Sequence, residues 1–382
     1  VTTIDNEPRG RLIYAASETH PDLLYKTRFQ APDPFLWFST PSQNGIVVSA
    51  LEVGRARKNV PQTCTVMTAD QARKRWKLRK NKQSDTAELI AALARSEGIR
   101  TWEVPADFPL GLARKLARKR VRLVPASPFF PERSIKKTHE VECIREGVRL
   151  AETGLARALD VLQHSSPQAD GRLLWNGATL TAEILRGEID AEIARAGGTA
   201  SHTIAAPGTQ GADPHESGHG PVQAGVPIVI DIFPRVDRTG YFGDLTRTVV
   251  KGKASDIVRQ AYEAVNSARK QAVAAVRPGI PGNDVHKTAA DELEACGFRT
   301  DTQADPPRGF FHGTGHGLGL QVHEAPRLSP SCDEPLEAGH VVTVEPGLYY
   351  PEWGGVRIED VVVVTADGCE NLTSADCILE IP

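Results

Sequence analysis

Four acidic residues stand where an acid is costly. Asp231 interrupts the apolar run Pro227-Ile-Val-Ile-Asp-Ile-Phe233, and Asp244 follows in Gly240-Tyr-Phe-Gly-Asp-Leu-Thr-Arg-Thr248. Glu345 closes His340-Val-Val-Thr-Val-Glu345, and Glu359 lies in Gly355-Val-Arg-Ile-Glu-Asp-Val361. One acid in a strand is ordinarily exposed or salt-bridged. Four flanked by β-branched runs call for cations, because a buried anion without one is expensive. Between the two pairs, residues 310–326 read FFHGTGHGLGLQVHEAP and hold His312, His316 and His323, three of the chain's eleven histidines. The stretch does not match GxGxxG, so its glycines read as points of close backbone approach and not as a dinucleotide loop.

Charge then suggests the cofactor. Two divalent cations neutralise four carboxylates, with one imidazole completing the shell. Oxygen-rich ligation with a single nitrogen suits Mn(II), Co(II) or Zn(II) and not a thiolate structural zinc site. A pair of such ions activates water and polarises a carbonyl, which is hydrolytic chemistry.

The elements that must position these residues follow from periodicity. The acids fall on two hairpin-like segments. One runs from 227 to 250 through a turn at Asp237–Gly240, and its pairing is expected to set Asp231 and Asp244 side by side. The other runs from 340 to 365 through a turn at Gly354-Gly355. Helices are expected at about 138–163, 179–195, 254–276 and 283–296, the last closed by Gly297. Helices followed by an acid-bearing hairpin, twice over, suggest an internal duplication. Upstream, strands at 45–52 and 121–125 with a helix at 85–96 suggest a small α/β domain over about 10–128, and the proline-rich stretch 125–131 reads as a linker.

Composition narrows the field. Of 382 residues, 40% are hydrophobic and 24% charged, as in soluble globular chains, and the length favours more than one domain. No run is apolar enough for a membrane span, and the sequence VTTIDNEPRG is not a signal peptide. The six cysteines form no CxxC pair, which suggests reduced thiols and a cytoplasmic protein. On the same view the Asn371-Leu-Thr373 sequon is a chance match. Residues 1–133 carry 23 Lys and Arg against 13 Asp and Glu, whereas the remainder carries 22 against 35. The basic runs 73–82 and 114–122 lack any nucleic-acid-binding motif, so they read as solvated helix faces and no nucleic-acid partner is expected.

Taken together, Asp231, Gly240-Tyr241, Asp244-Leu-Thr-Arg-Thr248, His312-x-x-x-His316, His323-Glu324-x-Pro326, Glu345-Pro346-Gly347 and Arg357-Ile358-Glu359-Asp360 resemble, in order, the motifs of the pita-bread metallopeptidases. The resemblance covers about 134–382 and implies an α+β pita-bread catalytic domain there. Residues 1–133 loosely resemble, through Asp22-Leu-Leu-Tyr-Lys-Thr-Arg-Phe29 and Pro34-Phe-Leu-Trp37, the creatinase-like N-terminal α/β domain of the prolidase and aminopeptidase P branch. It implies Asp231, Asp244, His316, Glu345 and Glu359 as ligands of two metal ions, with manganese preferred. Glu345 doubles as the base, while His215, His312, His323, Tyr349 and Arg357 handle substrate and protons; His219 is the second choice for the role of His215. The remaining histidines are expected to be structural. The implied activity is cleavage of Xaa-Pro dipeptides by a homodimer, with aminopeptidase P action on longer peptides as the alternative. A non-catalytic binding protein on the same fold is a remote third reading. One departure is the spacing of 13 between Asp231 and Asp244, longer than the family pattern, which an enlarged turn would absorb.

Overall fold

A computed structural model describes residues 9–78 and 85–382. The chain divides into two compact units, Val1–Arg133 and Ser134–Pro382.

The first unit is a six-stranded mixed sheet. Its order across the sheet is Thr65–Thr68, Asn44–Val48, Phe35–Ser39, Gly10–Ala15, Thr101–Pro105 and Arg122–Ala126. The helix Thr86–Glu97 covers one face; its run from Leu89 to Ala94 is buried, Asp85 caps its start, and Gly98 ends it in the left-handed region. Two details differ from expectation. The strand expected to reach Glu52 stops at Val48, because Leu51 is 94% exposed and the chain turns into the helix Val53–Asn59. The stretch 125–131 is no loose linker. The last strand extends to Ala126, and Phe129 and Phe130 are buried against Trp37, Phe35 and Ile13. Aromatic burial outweighs the proline signal there.

The basic runs end helices: Arg73, Lys74 and Arg75 form the last turn of Ala69–Arg75, where cations complement the helix dipole. Lys115 and Lys119 reach Asp85 and Glu88. Residues 79–82 of the first run lie outside the described residues.

The second unit repeats one plan. Helices Thr138–Gln163 and Ala182–Arg195 precede and cover a four-stranded sheet, Ile204–Pro207, Pro227–Ile232, Leu245–Lys251 and Glu380–Ile381. Helices Asp256–Ala275 and Gly282–Ala295 precede and cover a second sheet. Its order is Glu324–Leu328, Gly315–Gly317, Val341–Val344, Asp360–Val364 and Cys369–Asn371. These are the four helices expected from periodicity, each within three residues at either end. Apolar residues line the inner helix faces, among them Ile144, Val148, Ala151, Leu155, Ala158 and Val161 on the longest.

In the first hairpin Asp231 pairs with Thr246, not with Asp244. Asp244 sits just before its strand, two residues from Thr246, so the two acids share a face diagonally. The extra connection length forms its own strand, Arg235–Val236, paired with Gly198–Thr199. The second hairpin is more elaborate than the sequence suggested. Val341–Val344 does pair with Asp360–Val364, yet between them Gly347–Tyr350 and Gly354–Arg357 form a separate ribbon turning at Pro351–Trp353. Glu345 and Glu359 occupy the corners where the chain leaves one sheet for the other.

Candidate metal centre

The two sheets of the second unit bring ligand atoms of Asp244, His316 and Glu359 within 4.8 Å of one another, all three buried. His316 can stand there because Gly315 lets its strand press against Val341–Val344; a Cβ on Gly315 would lie 1.9 Å from the Thr343 carbonyl oxygen. The His316 Nδ1 bonds the Gly317 carbonyl, which leaves Nε2 facing Glu345 Oε1 at 3.2 Å and Asp244 Oδ2 at 3.8 Å. Glu345 is fixed by its own amide, which donates to the Thr314 carbonyl at 2.7 Å. Glu359 Oε2 accepts the Thr246 hydroxyl at 2.8 Å, while Glu359 Oε1 is buried with no hydrogen-bond partner among the described residues.

Asp231 stands slightly apart: its Oδ2 accepts from Arg357 Nη2 at 2.5 Å. Arg357, 3% exposed, is the hub of this side. Its Nη1 donates to the Tyr349 hydroxyl at 3.0 Å and to the Pro214 carbonyl at 3.4 Å. The Tyr349 oxygen lies 2.9 Å from His312 Nε2, and His312 Nδ1 is 2.7 Å from the Gly313 carbonyl. A carbonyl only accepts, so the His312 proton sits on Nδ1 and Nε2 accepts from the tyrosine.

Electrostatics describe a site short of positive charge. Burial, then repulsion from Asp244, Glu345 and Asp231, pushes the Glu359 carboxyl well above its usual range. Asp244 is pushed up by burial and by Asp231. Asp231 is raised by burial against the pull of Arg357. Glu345 goes the other way: burial would raise it, but the His316 imidazole holds it at about 2. Burial acts against the charged form of His316, and Glu345 and Asp244 overcome it to raise the pKa. His312 is lowered by burial, and Tyr349 is pushed up to about 12 by burial despite Arg357. Buried carboxylates crowded together without a matching positive charge, one carboxylate oxygen without a hydrogen-bond partner among the described residues, and an imidazole nitrogen turned toward Glu345 and Asp244 together fit a divalent cation.

The other expected residues divide. The His323 ring stands edge-on to His316 at 4.4 Å, exposed to solvent. His215 is exposed on the loop whose Pro214 carbonyl binds Arg357, close enough to repel a proton from His312 and His323. His219 is exposed, with its backbone held on both sides by the Gln210 amide. Of the histidines expected to be structural, His20 caps a helix and His340 accepts from the Glu337 amide. His286 backs the glycine-rich stretch through Thr314 Oγ1 at 3.0 Å. The sequon asparagine is engaged internally, with Asn371 Nδ2 donating to Asp360 Oδ2 at 2.9 Å.

Sequence reasoning passed over three supporting groups. Thr246, fully buried, touches Glu359 and Arg357. Arg247 and Arg269 neutralise Asp360 behind Glu359. Lys136 pairs at 2.6 Å with Glu324, the neighbour of His323, and both side chains are under 10% exposed. Thr246 and Arg247 were legible as polar residues in a strand that buries every position. Lys136 carried no such signal.

The sequence profile of metallopeptidase family M24 matches residues 142–366. The chain is 31% identical over 245 residues to the Xaa-Pro dipeptidase of Pyrococcus furiosus, covering 64% of each, so the match spans just under two thirds of that relative. The X-Pro aminopeptidase structure of Thermotoga maritima superposes with a TM-score of 0.82 at 22% identity, covering 98% of both chains. Prolidase of Pyrococcus furiosus gives 0.77 at 23%, covering 96% of both. These structures share the mixed α/β pita-bread architecture with its N-terminal domain. No helix among the described residues is long and apolar enough to cross a membrane. With the profile spanning most of the second unit and the acid- and histidine-bearing motifs lying inside it, the chain belongs to metallopeptidase family M24.

Proposed function

We propose that this protein hydrolyses the peptide bond before proline, with Xaa-Pro dipeptides as its substrates. The observation that carries the reading is the buried cluster of Asp244, His316 and Glu359, in which Glu359 Oε1 has no hydrogen-bond partner among the described residues, beside the chain Asp231–Arg357–Tyr349–His312. Asp231, Asp244, His316, Glu345 and Glu359 would hold two divalent ions, manganese first and cobalt or zinc as alternatives. Bound there, the ions supply an activated water and polarise the scissile carbonyl.

The chain's own groups do the rest. Glu345, ionised at neutral pH, accepts the proton of the attacking water. His323, edge-on to His316, and His215, exposed on the loop whose Pro214 carbonyl binds Arg357, would steady the tetrahedral oxygen or the proline end of the substrate. Proline as a leaving group must gain a proton at nitrogen as the bond breaks. The Tyr349 hydroxyl is a suitable donor, because it keeps its proton up to about pH 12, and neutral His312 beside it receives or returns one at Nε2. Arg357 orients Tyr349 and binds Asp231 at once.

A cavity of about 590 Å³ favours a second reading, aminopeptidase P action on longer peptides. It is lined by Gln210, Pro214, Pro306, Phe311 and Pro351, and adjoins the site through the Pro214 carbonyl and the Phe311–Tyr349 ring contact at 5.4 Å. Such an opening has room for a third residue. Hydrolysis of Ala-Pro against Ala-Pro-Ala by manganese-loaded protein, with a chelated control, separates the two. Cleavage of the dipeptide alone supports the first reading, preference for the tripeptide the second, and silence on both with metal bound refutes both. A homodimer, implied by the resemblance, and a cytoplasmic location, supported by six free thiols, complete the proposal.

A further inference from the structure

His323 stands where the sheet gives it little support. The strand Glu324–Leu328 is the edge of the second sheet, and its ladder with Gly315–Gly317 begins at the pair Gly317–Glu324. His323 lies one residue outside that ladder, yet its ring stands 4.4 Å from the His316 ring.

Glu324 supplies a hold of another kind. Its side chain turns inward and is 9% exposed, and its Oε1 lies 2.6 Å from the Nζ of Lys136, whose side chain is 2% exposed. The turn before it is wrapped around the carboxylate. The Gln321 amide donates to Glu324 Oε2 at 3.4 Å, and a Cβ on Gly319 would lie 2.5 Å from Glu324 Oε1. The Gly319 carbonyl in turn accepts from the Phe242 amide at 2.8 Å. Lys136 is fixed from its own side, because its amide donates to the Gly339 carbonyl at 2.8 Å and the helix Thr138–Gln163 starts two residues on. A surface pair would leave such a carboxylate free to wander; in a buried pair, either charge alone is driven toward water. Any outward movement of Glu324 carries its neighbour His323 with it.

We propose that Lys136 is a positioning residue: through Glu324 it fixes the turn that presents His323 to the substrate. The proposal rests on the role given to His323 above.

The test combines kinetics on Ala-Pro with imidazole NMR of the metal-free protein. Lys136→Met is expected to lower kcat/KM about 10–100-fold, the scale of a misplaced group near the chemistry. Adding Glu324→Gln removes the unpaired charge and should restore stability without restoring the rate. In a His323→Ala background, Lys136→Met should change kcat/KM by less than about twofold, since a residue acting through His323 has nothing left to act on. The imidazole signal identified by its loss in His323→Ala should shift in the folded double variant Lys136→Met/Glu324→Gln. Wild-type kcat/KM in that double variant overturns the proposal, as does an equal fall with and without His323, or an unmoved His323 signal. Wild-type kinetics in His323→Ala overturns it together with the role of His323. A wild type that binds metal and cleaves no Xaa-Pro peptide refutes the substrate alone, and the NMR comparison then decides the proposal.

Discussion

Replacing Asp244 with Asn should strengthen the metal-free protein while disabling it. Asp244 is 3% exposed, and its nearest basic atom is His316 Nε2 at 3.8 Å. Burial, and repulsion from Asp231, push its carboxyl well above the ordinary value of 3.8 against the pull of His316. For an acid raised by folding, the cost is absent below the unfolded pKa and grows as pH rises toward the folded one. Each unit of upward shift is about 1.4 kcal/mol removed by an uncharged isostere. Metal-free Asp244→Asn should therefore be more stable than wild type at pH 7, each kcal/mol of the difference appearing as ~2–4 °C in Tm for a unit of this size. The gap should close as pH falls toward 4. Manganese should reverse the order: at a hundredfold excess over Kd the wild type would gain about 2.7 kcal/mol, and the variant, lacking a proposed ligand, far less. Differential scanning fluorimetry of both proteins, with chelator and with Mn(II), reads all four Tm values. A variant less stable than wild type in chelator, or one that gains equally from Mn(II), would refute the electrostatic account.

Two further outcomes are expected. Lys136→Met should cost about 3–5 kcal/mol by breaking the buried ion pair with Glu324, and adding Glu324→Gln should recover much of it; urea unfolding of the single and double variants checks this. His340 is 6% exposed, and burial, assisted by Lys136, lowers its pKa from 6.5 to about 4. Because the unfolded chain then binds more protons between those values, wild type should lose on the order of 3 kcal/mol as pH falls from 6.5 to 4. His340→Gln should show a shallower decline in urea midpoints over that window, and parallel curves would disprove it.

The sequence exposed those parts of the site in which a residue type conflicts with its surroundings. Asp231, in a run of isoleucine and valine, and His316, among glycines, stand out because local patterning gives no reason for them. The helices from 138 to 163 and from 256 to 275 were equally plain, since a long amphipathic repeat is set by local spacing. Pairing register was not. Nothing local says that Asp231 meets Thr246, or that a separate ribbon intervenes between Glu345 and Glu359, because these depend on contacts between segments far apart in the chain. Lys136 was invisible for the same reason: its partner lies nearly two hundred positions away, and a lone lysine is ordinarily at the surface.

The division of the proposed ligands between two sheets has a consequence for how such an activity arises in a living cell. Asp231 and Asp244 arrive with the first half of the catalytic unit, whereas His316, Glu345 and Glu359 arrive with the second. A nascent chain still short of Glu359, or a proteolytic remnant of either half, owns only part of the centre. On the proposed reading, hydrolysis would therefore require both halves to have folded against each other.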